Sequence, residues 1–178
     1  MKHFRLKSLV ELDQASMVAF SRWRREPWTT ILKLFSYSGN GTVWVSAGVA
    51  LSILEIKGIH LIAMQREVWR SMFCSLVAWG IGAVIKRSVE RKRPFQSIRN
   101  FQPLVKAPLD DSFPSSHASS STAFFVAMSV FHHPLAPYAG IWATLVTFSR
   151  FYLGVHFPSD LAGGALLGAC CGLVVRLL

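Results

Sequence analysis

Residues 149–160 read Ser149-Arg150-Phe151-Tyr152-Leu153-Gly154-Val155-His156-Phe157-Pro158-Ser159-Asp160. One apolar run precedes this passage (137–151) and another follows it (161–178). Proline is favoured in the first helical turn, so Pro158 predicts a helix starting near His156 or Phe157. His156 and Asp160 then lie about one turn apart on one face. The passage is a polar connection between two apolar helices. The same alternation recurs towards the N-terminus, where apolar runs cover 42–56, 68–85 and 118–131. Several runs are shorter than the roughly 20 residues of a perpendicular membrane span, so polar flanks must complete them. Ser119, Ser120, Ser121 and Thr122 lengthen the third run and need a cavity or another helix beside them. The expected fold is all-α: a polytopic transmembrane helical bundle of five to six spans.

Composition points the same way. Of 178 residues, 52% are apolar and 16% charged, too few charges to cover a soluble surface, and they cluster between the apolar runs. Trp23, Trp28, Trp44, Trp69 and Trp142 fall near the ends of those runs, where interfacial aromatics sit. The net charge of +10 raises nucleic acid as a partner. The basic residues flank apolar segments and form no base-reading module, so no nucleic acid is expected. Anionic lipid head groups and a phosphate substrate account for them better. Cys74, Cys170 and Cys171 lie inside apolar runs and read as buried free thiols, not as a disulfide or metal site. The N-terminal residues lack a clean apolar core, so no cleavable signal peptide is expected.

Before residue 39 the pattern changes. Residues 9–23 and 28–35, separated by Pro27, mix apolar and charged positions and read as amphipathic helices lying in the interface. A sixth, tilted span is the alternative. Ser38-Gly39-Asn40-Gly41 turns the chain into the first span. The expected division is therefore 1–38, N-terminal interfacial helices, and 39–178, a membrane-embedded domain. In the last span Gly164, Gly168 and Gly172, with Ala165 and Ala169 alongside, let helix backbones approach closely. That face packs within the chain on one reading and forms a homo-oligomer on the other.

Counting spans assembles the polar passages. The second span ends at Lys86, the third begins after His117, the fourth ends near 149–151 and the fifth begins near Asp160. All these ends emerge on one side of the membrane. His132 and His133, and His60 beside Lys57, fall on the other.

Each passage has its own chemistry. Lys86-x6-Arg93-Pro94 offers two fixed cations that neutralise a phosphate and the charge developing on its oxygens. Taken alone it is also a basic flank, with Arg87, Arg91 and Lys92 as company. Pro114-Ser115-Ser116-His117 opens the third span. With Pro114 at the first helical position, the N–H groups of Ser115, Ser116 and His117 point outward at the positive end of the helix dipole. His117 stands where it can protonate a leaving oxygen; taken alone, this is an ordinary cap with a surface histidine. Arg150 supplies a third cation. Asp160, within reach of one imidazole nitrogen of His156, fixes the tautomer and makes the other nitrogen nucleophilic. A metal bound by His156, Asp160 and His117 competes with this reading. The surrounding cations would repel a divalent ion, so neither metal nor cofactor is expected.

The three passages resemble, in order and spacing, the signature motifs of the type 2 phosphatidic acid phosphatase superfamily: Lys-x6-Arg-Pro, Pro-Ser-Gly-His and Ser-Arg-x5-His-x3-Asp. The match covers roughly residues 39–178. Ser116 stands where the second motif has glycine, and serves through its backbone N–H if its side chain faces away. The resemblance implies a metal-independent lipid phosphatase. In that scheme His156 attacks phosphorus to form a phosphohistidine, oriented by Asp160. His117 protonates the departing lipid oxygen and then activates water. Lys86, Arg93, Arg150, Ser115 and the Ser116 amide bind the phosphate. The superfamily also contains vanadium haloperoxidases, which are larger and soluble and resemble this chain less.

The expected substrate is a phospholipid or isoprenoid phosphate. Undecaprenyl pyrophosphate is favoured over phosphatidylglycerophosphate or lipid A phosphate, with the head group read by residues 99–111 and the N-terminal helices. The alternatives are a lipid A phosphatase or phosphotransferase, and a non-catalytic lipid-phosphate binding or transport protein. The last would not need His156 and its carboxylate. The resemblance implies a bacterial inner-membrane protein with its site facing the periplasm or outer surface. The Lys and Arg on that face would by themselves favour the cytoplasm, but phosphate binding accounts for many of them.

Overall fold

The computed structural model describes residues 2–56 and 66–177, so Lys57 and His60 lie outside the described residues. Every regular element among the described residues is a helix: α1 (Lys2–Ser21), α2 (Trp28–Ser38), α3 (Gly41–Ile56), α4 (Arg66–Val89), α5 (Pro94–Ser97), α6 (Ser116–Val130), α7 (Ala136–Tyr152), α8 (Pro158–Leu173) and a closing 3-10 turn, Val174–Leu177. Among the described residues two helical stretches, Arg66–Ser97 and Pro158–Leu177, are long and apolar enough to cross a membrane.

Helix α6 is the centre, packed by α8, α4 and α7. Its buried residues include Ala118, Ser119, Ser120, Ser121, Ala123 and Ala127. The serine hydroxyls bond back to the helix itself, Ser120 Oγ to the Ser116 carbonyl at 2.9 Å and Ser121 Oγ to the His117 carbonyl at 2.7 Å. A serine-rich turn is thereby satisfied without water. Gly164, Gly168 and Gly172 of α8 face α6 in the same chain. A Cβ at Gly168 would lie 2.2 Å from the Ser119 carbonyl oxygen, so only glycine permits this backbone-to-backbone contact. Outside, Val45, Val49, Phe73, Leu76, Val84, Ile141, Leu166 and Leu173 are exposed. Small and hydroxyl residues inside and large apolar residues outside is the arrangement that lipid selects, because lipid gives no reason to bury leucine.

The two N-terminal helices, expected to be amphipathic, each pack against the rest of the chain. Helix α2 runs antiparallel along α7: Thr29 Oγ1 lies 3.1 Å from the Tyr152 hydroxyl, Ser36 Oγ accepts from Arg150 Nη1, and Trp142 Nε1 donates to Ser38 Oγ at 2.9 Å. These three polar contacts seat α2 along α7. In α1, Leu9, Leu12 and Val18 are exposed, whereas Asp13 and Met17 are buried. Between α3 and α4 lies a groove of about 770 Å³ lined by Trp44, Val49, Trp69, Phe73, Leu76 and Trp79, with Ser120 of α6 at its wall.

At one end of the bundle four helix termini converge: the C-termini of α4 and α7 and the N-termini of α6 and α8. The segment between α5 and α6 is strapped over them by Leu104 N–H to the Leu153 carbonyl (2.9 Å) and Ser112 N–H to the Arg91 carbonyl (2.8 Å).

Candidate active site

The first polar passage delivers two buried cations. Lys86, on the last turn of α4, is 6% exposed, and Arg93 is 2% exposed. Pro94 occupies the first position of α5, and the Arg93 N–H is taken by Gln96 Oε1 at 2.8 Å, which fixes the turn. Arg93 then spreads its guanidinium over several acceptors. Nη1 donates to the Val155 carbonyl at 2.7 Å, and Nη2 meets Asp110 Oδ1 at 2.8 Å. Lys86 Nζ lies 2.8 Å from Asp110 Oδ2 and donates to the Asp111 carbonyl at 2.6 Å. Partial burial works to raise the Asp110 carboxyl, but the hydrogen bonds and charges of Lys86 and Arg93 outweigh it and bring it down to about 2.

His156 sits between α7 and α8 with 2% of its surface exposed. Its Nε2 is 3.2 Å from Arg93 Nη1, and its Nδ1 is 3.7 Å from Asp160 Oδ2, an ion-pair distance without a hydrogen bond. Burial pushes the imidazole well below its usual range, and the charges of Arg93, Arg150 and Lys86 add to the effect. His156 is therefore neutral at pH 7. Asp160, at the third position of α8, accepts from the Phe157 N–H at 2.8 Å and from Ser112 Oγ at 2.5 Å, so it caps its own helix while facing His156.

The start of α6 departs from the sequence expectation by two residues. Helix α6 begins at Ser116 with Ser115 as its cap, so Pro114 lies before the helix rather than at its first position. The Ser115 N–H is not open to a ligand, because it donates to the Asp160 carbonyl at 3.1 Å; Ser115 Oγ accepts from the Ala118 N–H at 3.4 Å. The Ser116 and His117 amides remain at the open positive end of the helix. His117 lies within electrostatic reach of Arg150, His156 and Lys86 and is bonded by a backbone group of Ser36. Arg150, 7% exposed, holds Ser36 through Nη1, and its Nε has no partner among the described residues. His132 and His133 close the opposite end of α6.

Lys86, Arg93, Ser115, Ser116, His117, Arg150, His156 and Asp160 thus meet at one end of the bundle. Sequence reasoning missed several groups that hold them there: Asp13, Ser36, Asp110 as a bridging carboxylate, Ser112, Ser159, and Arg91 as more than a basic flank. Arg91 had a weak signal in its place two residues before Arg93. Ser112 and Asp13 had none, since their partners lie 48 and 146 residues away in the chain.

The bundle and its end define a helical membrane protein with a buried cluster of cations and histidines, the kind of donor set that holds a tetrahedral oxyanion. The chain belongs to the PAP2 superfamily, whose sequence pattern matches residues 67–178. Among its relatives, decaprenylphosphoryl-5-phosphoribose phosphatase of Mycobacterium tuberculosis is 36% identical over 124 residues, covering 69% of this chain and 68% of that protein. The undecaprenyl-diphosphatase of Sulfolobus acidocaldarius is 30% identical over 141 residues, 78% of this chain and 65% of that one. The crystal structure of a transmembrane PAP2-type phosphatidylglycerolphosphate phosphatase from Bacillus subtilis superposes with a TM-score of 0.68 at 27% identity, covering 95% of this chain and 85% of that one.

Proposed function

We propose that this protein is an integral-membrane lipid phosphatase acting through a phosphohistidine. The observation that carries this reading is the setting of His156: a neutral, buried imidazole whose Nε2 lies 3.2 Å from Arg93 while Asp160 faces its Nδ1. In the first half-reaction the Nε2 lone pair attacks phosphorus, the bond from phosphorus to the lipid oxygen breaks, and His117 gives that oxygen its proton. In the second, a water oxygen attacks phosphorus, the N–P bond returns its electron pair to His156, and His117 takes the water proton. Lys86, Arg93, Arg150 and the Ser116 amide bind the phosphate oxygens, with Ser115 as the helix cap that presents them. No metal is needed in this scheme. The cations crowded around His156 disfavour a divalent ion, and Arg91 already occupies Asp160 Oδ1 at 2.6 Å.

The membrane reading has five crossings: α2 and α3 together as one crossing broken at residues 38–41, then α4, α6, α7 and α8. Helix α1 is left as the interfacial element. The site then faces the periplasm or outer surface of a bacterial inner membrane. Lys86, Arg91 and Arg93 are ion-paired to Asp110, Asp13 and Asp160, so they carry little weight as topology signals. The substrate favoured is an isoprenoid lipid phosphate, undecaprenyl pyrophosphate first, because two of the relatives are named for isoprenoid-linked phosphates. The groove between α3 and α4 suits its tail. It ends at Asn40 and Gly41, beside Gly39, where an added Cβ would lie 3.1 Å from the His117 ring.

The test is phosphate release from purified undecaprenyl pyrophosphate, phosphatidylglycerophosphate and lipid A phosphate in detergent. Wild type releasing phosphate, with His156→Ala binding the same lipid but releasing none, is the expected result. Equal release by the two proteins, or lipid binding without release by either, contradicts it; the second outcome is that of a binding or transport protein.

A further inference from the structure

Asp13 is the one carboxylate that α1 buries, and it reaches the far side of the His156–Asp160 pair. Its side chain is 7% exposed. Oδ2 lies 2.6 Å from Arg91 Nη2 and accepts from Ser159 Oγ, while Oδ1 accepts from the Ser159 N–H at 3.2 Å. Ser159 stands in the first turn of α8, so Asp13 caps that helix from another element. Arg91 completes the link. Nη1 donates to Ser159 Oγ and Asp160 Oδ1, both at 2.6 Å, and the guanidinium lies 4.7 Å over the Phe157 ring. Arg91 is thus planar, bidentate and stacked, a geometry that lysine cannot reproduce. A helix more than 140 residues earlier in the chain is joined by charge-assisted bonds to Ser159 and, through Arg91, to Asp160 itself.

We propose that Asp13 and Arg91 are positioning residues of the active site, holding Asp160 and the start of α8 so that the carboxylate stays aimed at His156 Nδ1. The proposal rests on the reading of His156 as nucleophile. Asp160 Oδ2 is fixed by Ser112 and Phe157, and Oδ1 is fixed by Arg91 alone among the described residues. Arg91 fixes the rotation of the carboxylate about its own axis, and Asp13 fixes Arg91. The charges also matter. His156 is faced by Arg93 and Lys86 from the α4 end, Arg150 from α7, His117 from α6, Asp110 from the strapping segment and Asp160 from α8. Behind Asp160, Arg91 is positive and Asp13 negative. Removing Asp13 leaves the Arg91 charge uncompensated and disfavours the imidazolium, whereas removing Arg91 frees the Asp160 charge and favours it.

The experiment compares wild type with Asp13→Asn, Asp13→Glu and Arg91→Gln in two ways. The first is kcat and KM for phosphate release in detergent micelles. The second is the titration of the His156 ring by NMR, which needs no turnover. Expected are a kcat loss on the order of tenfold or more in Asp13→Asn and Arg91→Gln with KM little changed, and partial recovery in Asp13→Glu. The His156 titration should move by about half a pH unit or more, downward in Asp13→Asn and upward in Arg91→Gln. A general loosening of the fold would not shift the two in opposite directions. Values of kcat within about twofold of wild type in both variants, or an unmoved His156 titration in both, overturn the proposal. Should wild type release no phosphate, the phosphatase reading fails, and the titration still decides whether Asp13 and Arg91 act on His156.

Discussion

The Asp110 carboxylate lies 2.8 Å from Lys86 Nζ and 2.8 Å from Arg93 Nη2, two of the donors proposed to bind the substrate phosphate. Its side chain is 57% exposed, so an incoming phosphate can displace it into water. Asp110→Asn should therefore tighten competitive inhibition by inorganic phosphate on the order of tenfold. Tightening in the variant supports the account, and unchanged inhibition shows that phosphate binds elsewhere. The same residue has a pH signature. Because its carboxyl is lowered to about 2 in the folded protein, its contribution to stability is full above about pH 4 and lost as pH falls towards 2. Thermal unfolding in detergent should weaken over that window in wild type and less in Asp110→Asn. At this scale the groups proposed to do chemistry were legible as a cluster, since each passage places them within a dozen residues. Their supports were not. Arg150 depends on Ser36, 114 residues away, and Asp160 on Ser112, 48 away, and no local spacing encodes such pairs.

The helices themselves were legible from the alternation of apolar runs and polar passages, and each expected run falls on a helix of nearly the same extent. What hydropathy could not show is which neighbour a short helix chooses. Helix α2 reads as amphipathic whether it lies flat or stands against another helix. Only the pairing of Ser36 and Ser38 with Arg150 and Trp142 decides for α7. The α6–α8 contact was readable in kind, through the glycine spacing, and it makes a prediction at the level of elements. Gly168→Ala places a methyl 2.2 Å from the Ser119 carbonyl, so the helices must separate at a cost of about 1–3 kcal/mol or more. Thermal unfolding in detergent should show a clear drop. Gly80→Ala is the control, because nothing lies within 4 Å of a Cβ there. Equal stability of the two variants would mean that α8 does not seat against α6 as described.

Over the whole molecule, four helix termini meet at one end, and with them the three polar passages. Counting spans foresaw that convergence, because odd and even crossings alternate sides whatever the detailed packing. It could not foresee that α1 reaches the same end through Asp13, since a lone acidic residue in a charged N-terminal helix carries no sign of its partner. The molecule is an inside-out bundle whose polar interior is concentrated at that end, around a neutral histidine among cations. The central claim is that this histidine takes the phosphoryl group. The most direct test quenches wild type and His117→Ala with head-group-labelled lipid phosphate in excess EDTA, then maps any protein-bound label. The account predicts an acid-labile label on the peptide carrying His156 in wild type, formed and lost more slowly in His117→Ala, and absent from His156→Ala treated in the same way. Turnover with no labelled histidine, or activity abolished by EDTA, would contradict it.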